Sequence, residues 1–189
     1  LAKYEPPIIT RLYANDGRMM MEYATEHRLY VPLDAMPKRV KEAFLSAEDQ
    51  NFYQHSGVDF MSIVRAMLTN VNNVAAGKAL VGGSTITQQV AKNLLLSSIA
   101  NQASYERKIK EAILAFRIEN ALSKDRILEI YINEIYLGSG SYGVAAAALN
   151  YFNKSLTITI DLLFSSYSSF FGIIYDISYL FIAYLNFCG

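Results

Sequence analysis

Residues 82–89 read Gly-Gly-Ser-Thr-Ile-Thr-Gln-Gln, and this run of small and polar side chains constrains the fold more than any other segment. The paired glycines favour a turn, because glycine adopts backbone conformations that other residues avoid. Thr85 and Gln88 have the spacing of a capping box at a helix N-terminus. A glycine turn before a capped helix is ordinary by itself, but the density of hydroxyl and amide groups also predicts a binding surface. We expect exposed backbone N–H groups at this helix start to meet an anion.

The chain has 189 residues, enough for one domain with a buried core. Its 17 basic and 17 acidic residues balance, so bulk charge gives no reason to expect nucleic acid as a partner. Hydrophobic residues make up 52% of the chain, and 14 tyrosines with 10 phenylalanines leave room for an apolar surface that meets a membrane. The single cysteine, Cys188, excludes an internal disulfide, and two distant histidines give no zinc-ligand spacing.

The chain divides into three segments by pattern. In residues 1–33, short alternations surround Asn-Asp-Gly at positions 15–17, a strong hairpin signal that predicts two or three small strands. Residues 34–156 carry helical periods, which predict a mainly α fold. Residues 157–189 are hydrophobic and contain no lysine or arginine.

A carboxylate pair stands at the end of the first predicted helix, which starts near Pro37. Glu48 lies four residues after Phe44, on the apolar side, and Asp49 follows it. The C-terminal end of a helix disfavours negative charge, so the pair is poorly placed for stability. One interpretation is a surface acidic pair at a frayed helix end. The other is a general base, because apolar surroundings raise the pKa of a carboxyl group. By itself, His55 is more consistent with a structural hydrogen bond than with catalysis.

Two further helices carry strong apolar patterns. In the first, apolar residues recur at three- and four-residue steps, which assigns this helix to the core: Phe60, Ile63, Val64, Met67, Leu68 and Val71. The second, residues 105–122, is apolar on nearly all sides and is expected to be central. Ser123 is predicted to cap the helix that follows, and residues 143–152 form a small-residue helix able to pack closely on a neighbour.

Glu111 is a charged exception within the helix at residues 105–122. It shares a face with Ala115 and Ile118, while Arg107 stands one turn earlier and Lys110 directly precedes it. An exposed Arg107–Glu111 pair would contribute only a few tenths of a kcal/mol, about 0.2 to 0.5. The apolar character of this face favours a functional carboxylate instead.

Five ordered signatures in this chain resemble those of the peptidoglycan glycosyltransferase domain of class A penicillin-binding proteins and monofunctional transglycosylases. Together they cover residues 32–155, and chance similarity of this kind is negligible. The first contains Glu48-Asp49 with Phe52, His55 and Gly57, the second residues 82–89 with Lys92-Asn93, the third residues 107–111, the fourth residues 127–133 with Gly138, Gly140 and Gly143, and the fifth residues 151–154.

The resemblance implies a lysozyme-like helical domain on the periplasmic, outer face of the bacterial cytoplasmic membrane. Domains of this kind are normally anchored by an N-terminal transmembrane helix and are often followed by a penicillin-binding transpeptidase domain. The implied substrate is lipid II, the implied product is a β-1,4-linked nascent glycan strand, and division or elongation proteins are the implied partners.

The resemblance and the chemistry together imply roles for single residues. A sugar hydroxyl attacks an anomeric carbon that carries a diphosphate, so a base and cationic groups are required. Glu48 is the expected base, with inversion at the donor carbon. Glu111 is the second carboxylate, expected either to hold a divalent cation (Mg²⁺ or Mn²⁺) or to orient the basic residues. The diphosphate contacts are expected from Lys92, Arg107 and Lys110, and further substrate contacts from Asp49, Gly83, Ser84, Thr85, Gln88, Gln89 and Asn93.

Two other classes of function remain as alternatives. A lysozyme-like hydrolase would also use one glutamate, but the cations near Glu111 favour transfer, because glycan hydrolysis has no diphosphate to neutralise. A membrane-bound remnant that binds lipid II or glycan without turnover is the second alternative. Residues 157–189 suggest this alternative, because the resemblance to the family is expected to end after Leu156. There, an apolar stretch interrupted by Asp176 is short for a membrane span, and a truncation or reading-frame change is favoured over a native anchor. We therefore expect a weakened or inactive enzyme.

Overall fold

The computed structural model describes residues 10–23, 27–75, 77–78, 82–96 and 104–159. Contacts between Cα atoms divide the chain into two units, one formed by Leu1–Ala47 with Glu129–Gly189 and the other by Glu48–Leu128. The three-segment division from the sequence follows a different criterion and stays a prediction. Residues 160–189, most of the predicted tail, lie outside the described residues.

The described residues are mainly helical, which confirms the predicted fold class. The helices are α1 (Lys38–Glu48), α2 (Phe60–Ala75), α3 (Ile86–Val90), α4 (Tyr105–Ala121), α5 (Lys124–Glu134) and α6 (Val144–Phe152). A 3₁₀ turn spans Leu33–Ala35, and a π-helical turn, Ala91–Leu95, continues α3. The strands are β1 (Thr10–Tyr13), β2 (Met19–Tyr23), β3 (His27–Arg28) and β4 (Ser141–Tyr142).

The predicted hairpin is present. Strands β1 and β2 pair antiparallel, with Thr10 opposite Tyr23. The turn between them contains Gly17 at a φ of 79°, a left-handed conformation that suits glycine. The Ala14 N–H donates to the Arg18 carbonyl across the turn at 2.8 Å. A parallel pair, β3 with β4, joins the next strand to a distant part of the same unit.

In the first unit, the segment that follows β3 is bound along α5 by side-chain hydrogen bonds. Asn133 accepts from the Val31 N–H at 2.8 Å and donates to the Val31 carbonyl at 3.0 Å. Glu129 accepts from the Leu33 N–H at 2.7 Å and from the Tyr30 hydroxyl at 2.6 Å. Among the described residues no strand pairs with this extended segment, and these polar side chains of α5 supply hydrogen bonds to its backbone instead.

The start of α6 approaches α5 very closely. A Cβ atom added to Gly143 would lie 2.5 Å from the Asn133 carbonyl oxygen, and the φ of Gly143 is 81°. Only glycine fits both constraints. All four alanines at positions 145–148 are buried, so the predicted close-packing helix is confirmed. Phe44 of α1 meets the Tyr131 ring edge-on, with centroids 6.0 Å apart, in the core of the same unit.

In the second unit, the expected core position of α2 is wrong. Of its residues only Ala66 is buried, while Met67, Leu68 and Val71 are 63–70% exposed. Helical periodicity identifies an apolar face but not the surface that covers it. The helix is amphipathic as predicted, and much of its apolar face is open to solvent.

Helix α4 is also less buried than expected. The buried residues of α4 form one stripe, namely Glu111, Ala115 and Ile118. Ile109 and Ile113, which lie off this stripe, are 61% and 49% exposed. Apolar residues are common on protein surfaces, so these two isoleucines do not show that the helix is enclosed on all sides. The predicted face that contains Glu111 is nevertheless the buried one.

Candidate active site

Glu48 is the last residue of α1 and lies half-buried. The side-chain amide of Gln89 donates from Nε2 to Glu48 Oε2 at 2.9 Å. The other carboxylate oxygen, Oε1, has no protein hydrogen-bond partner among the described residues. The carboxylate is thus held by one donor and keeps an oxygen for a second one.

Asp49 is buried and joins the loop after α1 to the start of α3. Its carboxylate accepts from His55 Nε2 at 3.0 Å and from the backbone N–H of Ile86 at 3.0 Å. Because His55 Nδ1 accepts from the Gly57 N–H at 3.1 Å, the proton in a neutral ring lies on Nε2. The Thr85 hydroxyl completes the link by donating to the Gly57 carbonyl at 2.6 Å.

These contacts overturn one expectation from the sequence. The glycine-rich helix start was expected to expose N–H groups to an external anion, but the anion at this position is the carboxylate of Asp49. Residues 85–88 are all buried. The N-terminus of α3 is consequently an internal structural junction.

The predicted capping box is confirmed. The Thr85 N–H donates to Gln88 Oε1 at 3.0 Å, and the Gln88 N–H donates to Thr85 Oγ1 at 3.2 Å. Both residues were predicted to bind substrate, and the structure gives these side-chain oxygens to the cap. Gly83 has a packing role, because an added Cβ would lie 3.2 Å from the Ile63 Cα.

A cationic cluster surrounds Glu111, which is only 2% exposed. One carboxylate oxygen is paired with the Arg107 guanidinium. The other accepts from Lys108 Nζ at 2.9 Å, and the same ammonium donates to Ser84 Oγ at 2.7 Å. The side chain of Lys108 is 45% exposed, so its charge reaches solvent beside the glycine-rich loop, while the side chain of Arg107 is mostly buried at 17% exposed. Burial of Glu111 excludes the alternative of a simple surface pair.

The remaining predicted cations have different surroundings. Lys110 pairs with Glu106 at 2.6 Å, where both side chains are well exposed. Lys92 and Asn93 lie half-buried on the π-helical turn that follows α3. Lys92 has no ion-pair partner within the part of the chain that the structure describes.

Lys108 is the site residue that sequence reasoning missed. It stands three residues before Glu111, a spacing that places two side chains on the same helix face. Lys110 directly precedes Glu111 and is rotated away by about 100°. Its partner Glu106 lies four residues before it, which is the same-face spacing again. Application of this rule to residues 106–111 would have selected Lys108.

The expected divalent cation at Glu111 does not fit the residues present. Both oxygens of Glu111 already accept from cationic side chains. Within the described residues, no group of three or more His, Cys, Asp or Glu side chains is placed to hold a metal ion. Two neighbouring positive charges would also oppose a bound cation.

The sequence matches the family model described as Transglycosylase over residues 16–163. The chain belongs to the transglycosylase family. It is 52% identical over 156 residues to penicillin-binding protein 1A of Rickettsia bellii (strain RML369-C), which covers 82% of this chain and 19% of that protein. It is 47% identical to penicillin-binding protein 1A of Neisseria flavescens over 156 residues and of Aquifex aeolicus (strain VF5) over 154, covering 82% of this chain and 19% and 20% of those proteins.

The chain spans about a fifth of the length of the curated relatives that it matches. The resemblance inferred from the five signatures is confirmed. One detail is corrected: the family match continues to residue 163, beyond Leu156, where the resemblance was expected to end. It also begins at Asp16, within the hairpin turn, a segment that the signatures left out.

Proposed function

We propose that this chain is a peptidoglycan glycosyltransferase domain that polymerises lipid II into β-1,4-linked glycan. The 4-hydroxyl of an acceptor sugar attacks the anomeric carbon of the donor. The bond from that carbon to the undecaprenyl diphosphate breaks with inversion, and the diphosphate leaves with the electron pair. The proposal requires a base for the hydroxyl proton and positive charge for the leaving group.

Glu48 supplies the base. Its Oε2 is held by Gln89, so Oε1 can accept the proton of the acceptor hydroxyl. A carboxylate with a fixed orientation loses less freedom when the substrate binds, which is one source of rate acceleration. The buried Asp49–His55 pair lies beside Glu48 in the chain and has its polar atoms satisfied internally. We therefore assign Asp49 to support of the base rather than to substrate contact.

The cluster of Ser84, Arg107, Lys108 and Glu111 is the observation that carries the proposal. A buried carboxylate holds two cations, of which Lys108 reaches solvent beside a polar glycine-rich loop. Cations placed before the reaction stabilise the negative charge that develops on a departing diphosphate. Cleavage of a glycosidic bond by water has no such charge to neutralise. The cluster thus favours transfer over hydrolysis, with Lys92 as a further cation.

A divalent cation takes no part in the steps assigned to this chain. The donor set around Glu111 does not fit one, so charge neutralisation is assigned to the side chains. Glu111 acts by holding Arg107 and Lys108 in place. Mg²⁺ or Mn²⁺ that arrives already bound to the diphosphate would belong to the substrate.

The exposed apolar face of α2 supports a location at the bacterial cytoplasmic membrane. Apolar side chains follow one another along this helix with large exposed fractions, for Phe60, Met61, Val64, Met67, Leu68, Val71 and Val74. Continuous exposed apolar surface of this kind favours contact with a lipid phase. We place this domain on the periplasmic face, where a transpeptidase domain and other wall-synthesis proteins would be its neighbours. No described helix is both long and apolar enough to span a bilayer.

The test is incubation of the chain with lipid II in mild detergent, followed by gel separation of the products. A ladder of glycans supports the proposal, with Glu48→Gln as the inactive control. Short sugars would instead identify a hydrolase. Unchanged lipid II, with retained binding, would identify the non-catalytic remnant suggested by the atypical segment 157–189.

A further inference from the structure

Glu119 lies on α4, two turns beyond Glu111, and belongs to none of the five signatures. Its side chain is 9% exposed. One oxygen, Oε1, accepts both from the Thr87 hydroxyl at 2.6 Å and from Lys124 Nζ at 2.7 Å. A largely buried carboxylate that binds two groups from other elements fixes their relative positions, because a group that loses its contact is left partly desolvated without a partner.

Both partners of Glu119 are connected to segments next to the proposed base, Glu48. Thr87 is the second residue of α3 and is fully buried. The Lys124 ammonium lies over the ring of Phe52, 4.5 Å from its centroid. Phe52 belongs to the loop that also contains His55 and Gly57. Gly57 also packs on this stretch of α4, since an added Cβ would lie 2.9 Å from the Ala115 carbonyl carbon.

Helix α3 is too short to set its own orientation. Its five residues and the π-helical turn that continues them are together shorter than the about 12 residues that an isolated helix needs to be stable. Successive residues of an α-helix are rotated by about 100°, so Thr87 and Gln89 point in nearly opposite directions. The bond from Thr87 to Glu119 fixes the inner side of α3, and Gln89 reaches Glu48 from the other side.

We propose that Glu119 is a positioning residue, which through Thr87 sets the rotation of α3 so that Gln89 holds Glu48. Lys124 also binds the carboxylate of Glu119 and helps to hold it in place. The role in catalysis rests on the proposed function. The geometric part of the inference concerns only the Gln89–Glu48 contact.

The first test reads that contact without turnover, by NMR of the Gln89 side-chain amide in the full 189-residue chain. The resonance is assigned by its loss in Gln89→Ala, and Glu48→Ala gives its position without the contact. We expect Thr87→Val to move the resonance to that position and Thr87→Ser, which keeps the hydroxyl, to leave it in place. Thr159→Val is the matched control, because it removes a buried threonine bond to the Ser155 carbonyl elsewhere. An unmoved resonance in folded Thr87→Val overturns the proposal.

A second pair of variants covers the case in which Thr87→Val does not fold. Glu119→Gln retains an oxygen that accepts from Thr87, and Glu119→Ala does not. We expect the resonance to move in Glu119→Ala and to stay in Glu119→Gln. If both variants keep the parent resonance, the inference is wrong.

The catalytic arm uses lipid II polymerisation. We expect Thr87→Val to lower kcat by about 10-fold to 100-fold, with KM unchanged, the loss typical of a misplaced catalytic group. In a Gln89→Ala background, Thr87→Val should cause no further loss, because both changes act through one contact. If the kcat losses of the two single variants multiply in the double variant, Thr87→Val acts through a general structural effect, and the proposal is contradicted. A parent chain that does not polymerise refutes the proposed function, while the resonance still decides the geometry.

Discussion

Two buried carboxylates, Glu111 in one unit and Glu134 in the other, are each paired with an arginine but have opposite surroundings. Glu134 pairs with Arg28, whose side chain is 13% exposed. The guanidinium of Arg28 also stacks on the Tyr142 ring, 4.2 Å from its centroid. Within the described residues, the second oxygen of Glu134 is buried without a hydrogen-bond partner. This pair is enclosed by its own chain.

Glu111 is also buried, but one of its two cations, Lys108, is open to solvent. Lys108 is 45% exposed and reaches from Glu111 to Ser84 on the glycine-rich loop. An arginine–carboxylate pair is therefore no sign of function by itself, since buried pairs also serve structural roles. The distinguishing feature is a cation that is fixed on one side by a buried anion and faces solvent on the other.

The largest expected effect concerns the open region and its base. Glu48→Gln keeps an amide oxygen at the position of the carboxylate but cannot take a proton. We expect the polymerisation rate to fall by about 10²-fold to 10⁴-fold, as is typical for loss of a general base. Lipid II binding and thermal unfolding should stay at parent values. A variant that keeps more than about a tenth of the parent rate would refute the assignment, given those magnitudes.

The same substitution at the two compared carboxylates tests the contrast directly. Glu111→Gln should lower the polymerisation rate strongly with a smaller loss of stability, because Lys108 can remain solvated. Glu134→Gln should cost about 3 to 5 kcal/mol in the free energy of unfolding, the usual cost of breaking a buried pair. Activity per folded molecule should be unchanged. Rates and urea unfolding of both variants, measured in parallel, would break the comparison if the two profiles coincide.

Sequence patterns predicted the local features of the site and failed on the features that depend on surroundings. The Thr85–Gln88 capping box and the position of Glu48 at a helix end follow from spacing alone, because a cap involves only neighbours in the chain. Exposure of Leu68 did not follow, since periodicity does not show what covers an apolar face. The contact of Asp49 with Ile86 joins segments 37 residues apart, and no local pattern encodes it.

A smaller effect separates two neighbouring lysines. Lys108→Ala removes a cation held between Glu111 and Ser84, so we expect weaker use of the lipid II donor and a rate about 10²-fold lower, the lower end of the usual loss when a charge-stabilising donor is removed. Lys110→Ala removes only an exposed pair with Glu106, and such pairs contribute little. Its kinetics should match those of the parent. Equal kinetic losses in both variants would show that the structural distinction between the two lysines carries no functional weight.

Changes to the exposed face of α2 are expected to alter membrane binding rather than the chemical step. Leu68→Ser with Val71→Ser removes two large apolar side chains that are 67% and 70% exposed. Since burial of one such side chain contributes about 1.5 to 3 kcal/mol, binding to phosphatidylglycerol vesicles should weaken at least about 10-fold. Leu149→Ser, which removes an apolar side chain of α6 that is 42% exposed, is the control and should bind like the parent. Equal vesicle binding by all three proteins would exclude α2 as the membrane surface.

The smallest expected effect concerns a third carboxylate, Asp59. It tests whether a carboxylate has a structural role because its own chain encloses it, and not because of the unit in which it lies. Asp59 lies in the same unit as Glu111 but is enclosed by its own chain. It accepts from the Ser62 N–H and hydroxyl at 3.0 and 2.6 Å and from Asn51 at 2.9 Å. These hydrogen bonds, those from Ser62 first and that from Asn51 next, hold the pKa of Asp59 well below its usual range.

A lowered pKa in the folded state means that the charged form stabilises the fold, so its contribution is present above the unfolded pKa of about 3.9 and is lost below it. Asp59 also precedes α2 as its cap, and loss of a cap costs about 1 kcal/mol. We therefore expect Asp59→Asn to lower the free energy of unfolding by about that amount between pH 5 and 7. The difference from the parent should shrink as the pH falls below about 4, because the parent then loses the same charge. Urea unfolding across this range, with the exposed Asp34→Asn as control, measures it. A difference that stays constant down to pH 3, or a loss of polymerisation activity per folded molecule, would place Asp59 outside the enclosed, structural class.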